Sequence, residues 1–176
     1  MESPGDNALL AGLAAGDERA FAALYDRFAG PMYRSALAML RRPEDAEDAL
    51  QDVFVSIVRS RRQMTGVNDL RAYLFTALRR AAGRVAVKRS RQPATSEAVD
   101  EAPDANRAET NSPRDERLER AIRSLPAEQR EVIALKIDGQ LTFAQIGRTL
   151  GVSINTAASR YRYALEKLRT TIQVKE

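Results

Sequence analysis

Residues 141–169, LTFAQIGRTLGVSINTAASRYRYALEKLR, decide the fold. Thr142 stands where an N-cap belongs, and Gln145, three residues on, supplies the return half of a capping box. Leu141 and Ile146 occupy the two positions of a hydrophobic staple across that cap. Gly151 follows Leu150 at the place a left-handed C-cap demands, so this helix is short. Ser153 caps the next helix, whose inward stripe is Ala157, Tyr161, Leu165, Leu168 and Ile172. Gly147 is small where the two helices cross, and Gly151 permits the turn. Glycine, staple and cap agree on a helix-turn-helix.

The second of these helices leaves Asn155, Thr156, Ser159, Arg160, Tyr163 and Lys167 on its outward face. Its first turns offer backbone amides and hydroxyls to a phosphate, and Arg160 carries paired donors that match a guanine edge. A solvated helix face has the same residue types, but the punctuation around it favours nucleic-acid binding. Upstream, Leu125-Pro126 starts a helix with Val132, Ile133 and Leu135 inward, and Gly139 stops it.

The first half reads as helices throughout. Asp17 caps a helix with Ala20, Phe21, Leu24, Tyr25 and Phe28 at three- and four-residue spacing. Gly30-Pro31 is expected to break it, with Met32, Tyr33, Ala36, Leu37 and Leu40 resuming the period. Pro43 suits a first helical position, and Glu44, Asp45, Glu47 and Asp48 complement the positive end of the dipole. That third helix is expected to bury Ala46, Ala49, Leu50, Val53, Phe54, Ile57 and Val58. Arg62 to Asp69, with Gly66 and Asn68, reads as a loop. A fourth helix then runs through Leu70, Tyr73, Leu74, Ala77 and Leu78.

The 176 residues contain neither cysteine nor histidine. Disulfides, thiolate nucleophiles, ordinary zinc sites and histidine-based acid–base catalysis are therefore excluded. No phosphate-cradling glycine loop is present, and no cofactor is expected. The start, Met-Glu-Ser-Pro, lacks the basic region of a signal peptide, and no apolar run reaches the ~18 residues of a membrane span. The expectation is a cytoplasmic protein that binds rather than catalyses.

The net charge of +4 conceals a pattern. Arg79, Arg80, Arg84, Lys88, Arg89 and Arg91 form a basic block with no acid among them. Pro93 to Ser112 follows at once, acidic and with Val99 as its only large apolar residue. It cannot bury enough surface to offset its ordering entropy and is expected to be a disordered linker. Taken alone, the basic block reads equally as a helix end or as a track for phosphates. The acidic run at 44–48 is accounted for by the dipole.

At this point GDERAFAALYDRF, PEDAEDALQDVF and LRAYLFTALRR resemble region two of bacterial sigma factors of the extracytoplasmic-function type. LPAEQREVIALKIDGQLTFAQIGRTLGVSINTAASRYRYALEKLR resembles their region four. The resemblance implies an all-α protein of two small helical domains joined by a flexible linker, the second containing the helix-turn-helix. The boundaries follow: an N-terminal tail over 1–15, region two over 16–92, the linker over 93–113 and region four over 114–176. It implies a non-enzymatic factor that binds core RNA polymerase and promoter DNA, with an anti-sigma factor as a further partner class, and no metal.

Site residues carried over by the resemblance fall into three groups. Asp45, Asp48, Gln51 and Asp52 would dock on the polymerase. Gln63 and Asn68, in the loop that captures a flipped base, would join Arg71, Tyr73, Arg79, Arg80 and Lys88 at the minus-ten element. Thr142, Asn155, Thr156, Ser159, Arg160, Arg162 and Tyr163 would meet the minus-thirty-five element. The chain departs from the family pattern at Arg80, Arg84, Ala157 and Ala158. A helix-turn-helix regulator that does not bind polymerase is the alternative. Linker Pro93–Pro113 could extend to about 70 Å, which lets the domains hold separate promoter elements.

Overall fold

A computed structural model describes residues 4–91 and 113–173, and every regular element among them is helical. The first unit comprises α1 (Pro4–Ala15), α2 (Glu18–Leu40), α3 (Pro43–Arg59), a 3₁₀ turn (Arg61–Gly66) and α4 (Leu70–Ser90). The second comprises α5 (Pro113–Arg123), α6 (Ala127–Ile137), α7 (Phe143–Leu150) and α8 (Ile154–Gln173). The expected linker falls almost wholly outside the described residues.

Three local expectations change. Residues 4–15, read as a tail, form a helix whose Leu10 and Leu13 are buried in the first unit's core. Pro31 does not break α2, which runs unbroken through it. One missing amide bond is tolerated because the buried stripe Leu24, Phe28, Met32 and Ala36 continues in register on both sides. Arg62–Asp69, read as a loop, instead begins with the 3₁₀ turn, pinned by the fully buried Met64.

Caps and breakers act where the sequence places them. Asp17 and Asp69 accept from backbone amides at the starts of α2 and α4. α2 ends on Arg41 in the left-handed region (φ 67°), its N–H bonded to the Leu37 carbonyl, and Pro43 starts α3 at once. Thr142 and Gln145 complete the capping box of α7, and Gly151 (φ 68°) closes it.

One apolar core crosses both units. Leu24, Phe28, Met32, Leu74, Phe75 and Leu78 from the first unit are contiguous with Val132, Leu135, Leu141, Ile146 and Ala157 from the second. Only a small satellite of Ala121, Leu125, Ile133, Ala164 and Leu168 belongs to the second unit alone. Helix α6 lies between, with Val132, Ile133, Ala134 and Leu135 all buried.

The close crossing of α7 and α8 leaves no room at Gly147, where a Cβ would come within 2.8 Å of the Val152 carbonyl oxygen. That oxygen is backbone and cannot swing aside. Gly147→Ala should therefore destabilise the helix-turn-helix by about 1–3 kcal/mol. Thermal melting followed by circular dichroism checks this, and an unchanged midpoint would refute the crossing.

Candidate nucleic-acid interface

The basic helix α4 is set by its N-terminus. Asp69 Oδ1 accepts from the Ala72 amide at 2.9 Å, fixing where the helix begins relative to the 3₁₀ turn. Gln63 and Asn68 are exposed on either side of the buried Met64. Along α4, Arg80, Arg84, Val87 and Lys88 point to water, whereas Arg71, Tyr73 and Arg79 are half-buried. The Arg71 guanidinium lies 5.2 Å from the Phe28 ring centroid, and burial lowers its pKa. The basic block thus divides by helical face into a solvent-facing set and a set turned inward.

The four acidic-helix residues divide in the same way. Asp45 is turned toward α4 and ion-paired with Arg89 at 3.0 Å; Asp52 stands 3.9 Å from Arg84. Asp48 and Gln51 face solvent. Val58, expected to be buried, is 48% exposed, because position 58 lies past the edge of the stripe Ala46, Ala49, Val53 and Ile57. With Val55 and the neighbouring Tyr25 it makes an apolar margin beside Gln51 that periodicity alone does not flag.

In the helix-turn-helix, the Ser153 hydroxyl accepts from the Thr156 amide at 3.0 Å, and Thr142 stays exposed at its cap. Asn155, Arg162 and Tyr163 are exposed, with the Arg162 guanidinium 5.3 Å from the Tyr163 ring centroid. Thr156 and Ser159 are partly covered. Arg160 lies on the flank of the helix rather than on its open face. It stands three residues after the buried Ala157 and four before the buried Ala164, which brings it 3.0 Å from Glu128 on α6. Leu165 and Ile172, expected inward, are substantially exposed, and Ala164 takes the buried position instead.

A set of contacts between the two units escaped sequence reasoning. Arg34 on α2 donates to Asp138 at 2.9 Å. Arg79 stands 3.8 Å from Glu131, and Arg71 reaches the Gly139 carbonyl at 3.5 Å. Thr76 and Thr149 share a hydroxyl hydrogen bond of 2.9 Å, and Gln145 donates to Asp69. Arg130, itself buried, donates Nε to the Ala38 carbonyl at 3.0 Å and a second N–H to the Leu125 carbonyl. Two carboxyls here are shifted. Burial raises the pKa of Glu131, against the pull of Arg79 and Arg160, and raises that of Asp138, against the Arg34 hydrogen bond.

Comparison with known proteins adds a family pattern to this geometry. The Sigma-70 region 2 family matches residues 24–92, and the Sigma-70, region 4 family matches residues 121–170. The chain is 31% identical to the ECF RNA polymerase sigma factor SigK of Mycobacterium tuberculosis (strain ATCC 25618 / H37Rv), over 96% of this chain and 94% of that one. It is 32% identical to SigK of Mycobacterium ulcerans (strain Agy99), over 94% and 92% of the two chains. Among solved structures it is similar in fold to the sigma factor RpoE in complex with the anti-sigma factor NepR from Bartonella quintana. That match has a TM-score of 0.66 and 22% identity, over 89% of this chain and 98% of that one. It is also similar to CnrH in complex with the cytosolic domain of CnrY, with a TM-score of 0.62 and 22% identity, over 97% and 99%.

The raised carboxyls carry a pH signature whose sign is fixed. Glu131 and Asp138 hold their protons more tightly when folded than at their ordinary values of 4.5 and 3.8. Their stability contribution is full below those values and is lost as pH rises through the folded-state values. A Glu131→Gln, Asp138→Asn variant should gain in melting midpoint over the wild type as pH rises from about 4 to 7. Parallel curves would refute the shift.

Proposed function

The chain belongs to the ECF RNA polymerase sigma factors, alternative factors that direct promoter recognition and transcription initiation, and we propose a division of that work between its two units. The first unit, α1 to α4, docks on core polymerase through the solvent-facing side of α3 and holds the minus-ten element along α4. The second, residues 114–176, meets the minus-thirty-five element with α8. One observation carries this reading: a fully capped helix-turn-helix and a basic helix behind a pinned 3₁₀ turn occupy the region 4 and region 2 segments respectively.

Asp48 and Gln51 are among the outward polar groups of α3, and Tyr25, Val55 and Val58 supply an exposed apolar margin beside them for a partner to cover. Asp45 acts one step back, holding Arg89 of α4 against α3, while Asp52, itself exposed, stands 3.9 Å from Arg84 and remains open to the polymerase. At the minus-ten element, Gln63 and Asn68 flank the captured base, and Arg80 and Lys88 meet phosphates. Tyr73, Arg71 and Arg79 join them once uncovered. Asn155, Thr156, Ser159, Arg162 and Tyr163 line the groove-facing side of α8, with Thr142 on the adjoining cap. The chain performs no bond-making step of its own in this reading. It acts in the cytoplasm beside the polymerase, with an anti-sigma factor as a further partner class; no described helix is long and apolar enough to cross a membrane.

Two measurements test the assignment. Asp48→Lys combined with Gln51→Ala should reduce co-purification with core polymerase at least tenfold while leaving helical content unchanged; wild-type recovery would sink the docking face. At the upstream element, Arg160 reaches a guanine edge only by exchanging Glu128 for it. Arg160→Ala should then cost about 1–3 kcal/mol on the preferred promoter and relax selection at one base position. If selection on randomised upstream DNA returns the wild-type consensus at every position, Arg160 serves only as the partner of Glu128.

A further inference from the structure

The 3₁₀ turn that carries Gln63 is poorly equipped to hold itself. It spans Arg61–Gly66, longer than the about three or four residues such turns usually sustain, and its type of hydrogen bond has weak geometry. The Gln63 amide donates to the Ser60 carbonyl at 2.8 Å, and the Val67 amide to the Met64 carbonyl at 3.1 Å. The Thr65 hydroxyl donates to the Arg62 carbonyl at 3.2 Å. These bonds fix the curl of the turn but not its place on the molecule. Packing does that, and it comes mainly from α1, with little from α3, the helix that the turn continues.

Two anchors join the turn to α1. Met64 is fully buried in the core that holds Leu10 and Leu13. Arg61 lies over the corner where α1 ends. That corner is closed by the Gly16 amide on the Leu13 carbonyl at 3.0 Å and the Asp17 amide on the Gly12 carbonyl at 2.9 Å. Gly16 takes φ 79°, the left-handed position such a corner requires. It also leaves bare backbone for Arg61: a Cβ there would stand 3.1 Å from the Arg61 Nε and 3.6 Å from its Cδ. Helix α1 is itself fixed on α2, where Asp6 accepts from Arg27 and Gly12 admits Ala20 closely. Gln63 falls between the two anchored residues, exposed to solvent.

We propose that α1 positions the base-capturing turn, with Arg61 as the positioning residue: the Gly16 corner and the leucine core hold the turn at residues 61 and 64 and so set where Gln63 meets an unstacked base. This rests on the sigma-factor reading above and on the part that the turn plays in it. Taking a base out of the stack costs free energy, and a receptor that must be ordered at the same moment adds to that cost. A site of this kind has to be held to about 0.5 Å by the residues behind it. Packing over bare backbone calls for the length of the Arg61 stem and not for its charge. That separates the role from a phosphate contact, for which the charge is essential.

The test uses the full chain assembled with core polymerase, as wild type, Arg61→Ala, Arg61→Met and Gly16→Ala. Each is titrated with single strands of a minus-ten element that the wild-type holoenzyme opens, intact or abasic at each position in turn. The wild type should discriminate against the strand that lacks the captured base. Arg61→Ala should shrink that discrimination about fivefold or more, and Gly16→Ala should do the same, because its Cβ drives Arg61 off the corner. Arg61→Met keeps an unbranched stem without the charge and should stay within about twofold of wild type. A ratio of two affinities on one preparation does not move with the folded fraction, so partial unfolding of Gly16→Ala cannot imitate the effect. Wild-type discrimination by Arg61→Ala would overturn the proposal. So would an Arg61→Met variant as defective as Arg61→Ala, which would make Arg61 a charge contact to DNA. If the wild-type holoenzyme discriminates at no position, the turn captures no base, and that reading falls and takes this one with it.

Discussion

The middle turn of helix α6 is covered on every side. Val132, Ile133, Ala134 and Leu135 are consecutive, so they point in four directions around the helix, and all four are buried. Ile133 packs with α5 and α8, while Val132 and Leu135 belong to the core shared with the first unit. Each such aliphatic side chain is worth about 1.5–3 kcal/mol when taken out of water. That requirement joins what would otherwise be two independent bundles. It also explains why Arg130 is buried: its guanidinium spans the seam, tying the Ala38 carbonyl near the end of α2 to the Leu125 carbonyl before α6. Burial lowers its pKa, with Arg41 adding to the effect, and the carbonyl partners offset part of the cost.

Charge then settles orientation within the frame that apolar burial provides. The carboxyls of Glu131 and Asp138 are pushed up by desolvation despite arginine partners, so burying them opposes closure more than the pairs favour it. Their role is register: a shifted α6 would leave both carboxylates buried without a cation. On the far side of the first unit, Asp45 does the same for α4 against α3 through Arg89. What α3 then offers a partner is its exposed strip, with Asp48, Gln51 and Asp52 along it.

Most of the local structure was legible because it depends on neighbours within four residues. The capping box, the staple of Leu141 and Ile146, the Gly147 crossing and the Asp17 cap are all of this kind. Pro31 misled because a single missing amide bond is weaker than a continuous buried stripe, and residues 4–15 misled because three leucines in an alanine-rich segment give little period. Val58 and Leu165 were assigned inward by spacing alone, yet the helices meet their neighbours along narrower seams. The seam between units was not read, since a periodic pattern presumes one wet face. Its trace was present in the unbroken apolar run at 132–135.

Helix α1 has a practical consequence for anyone dividing the protein. The region 2 family pattern begins at residue 24, inside α2, and leaves out both α1 and the Asp17 cap. Yet Leu10 and Leu13 are core residues, and Gly12 packs so closely on Ala20 that a Cβ there would stand 2.7 Å from the Ala20 Cβ. A fragment trimmed to the recognisable boundary would start mid-helix with an uncapped end and unsheathed leucines. Homology and autonomy part company here, and the smallest heritable segment is not the smallest one that can stand by itself.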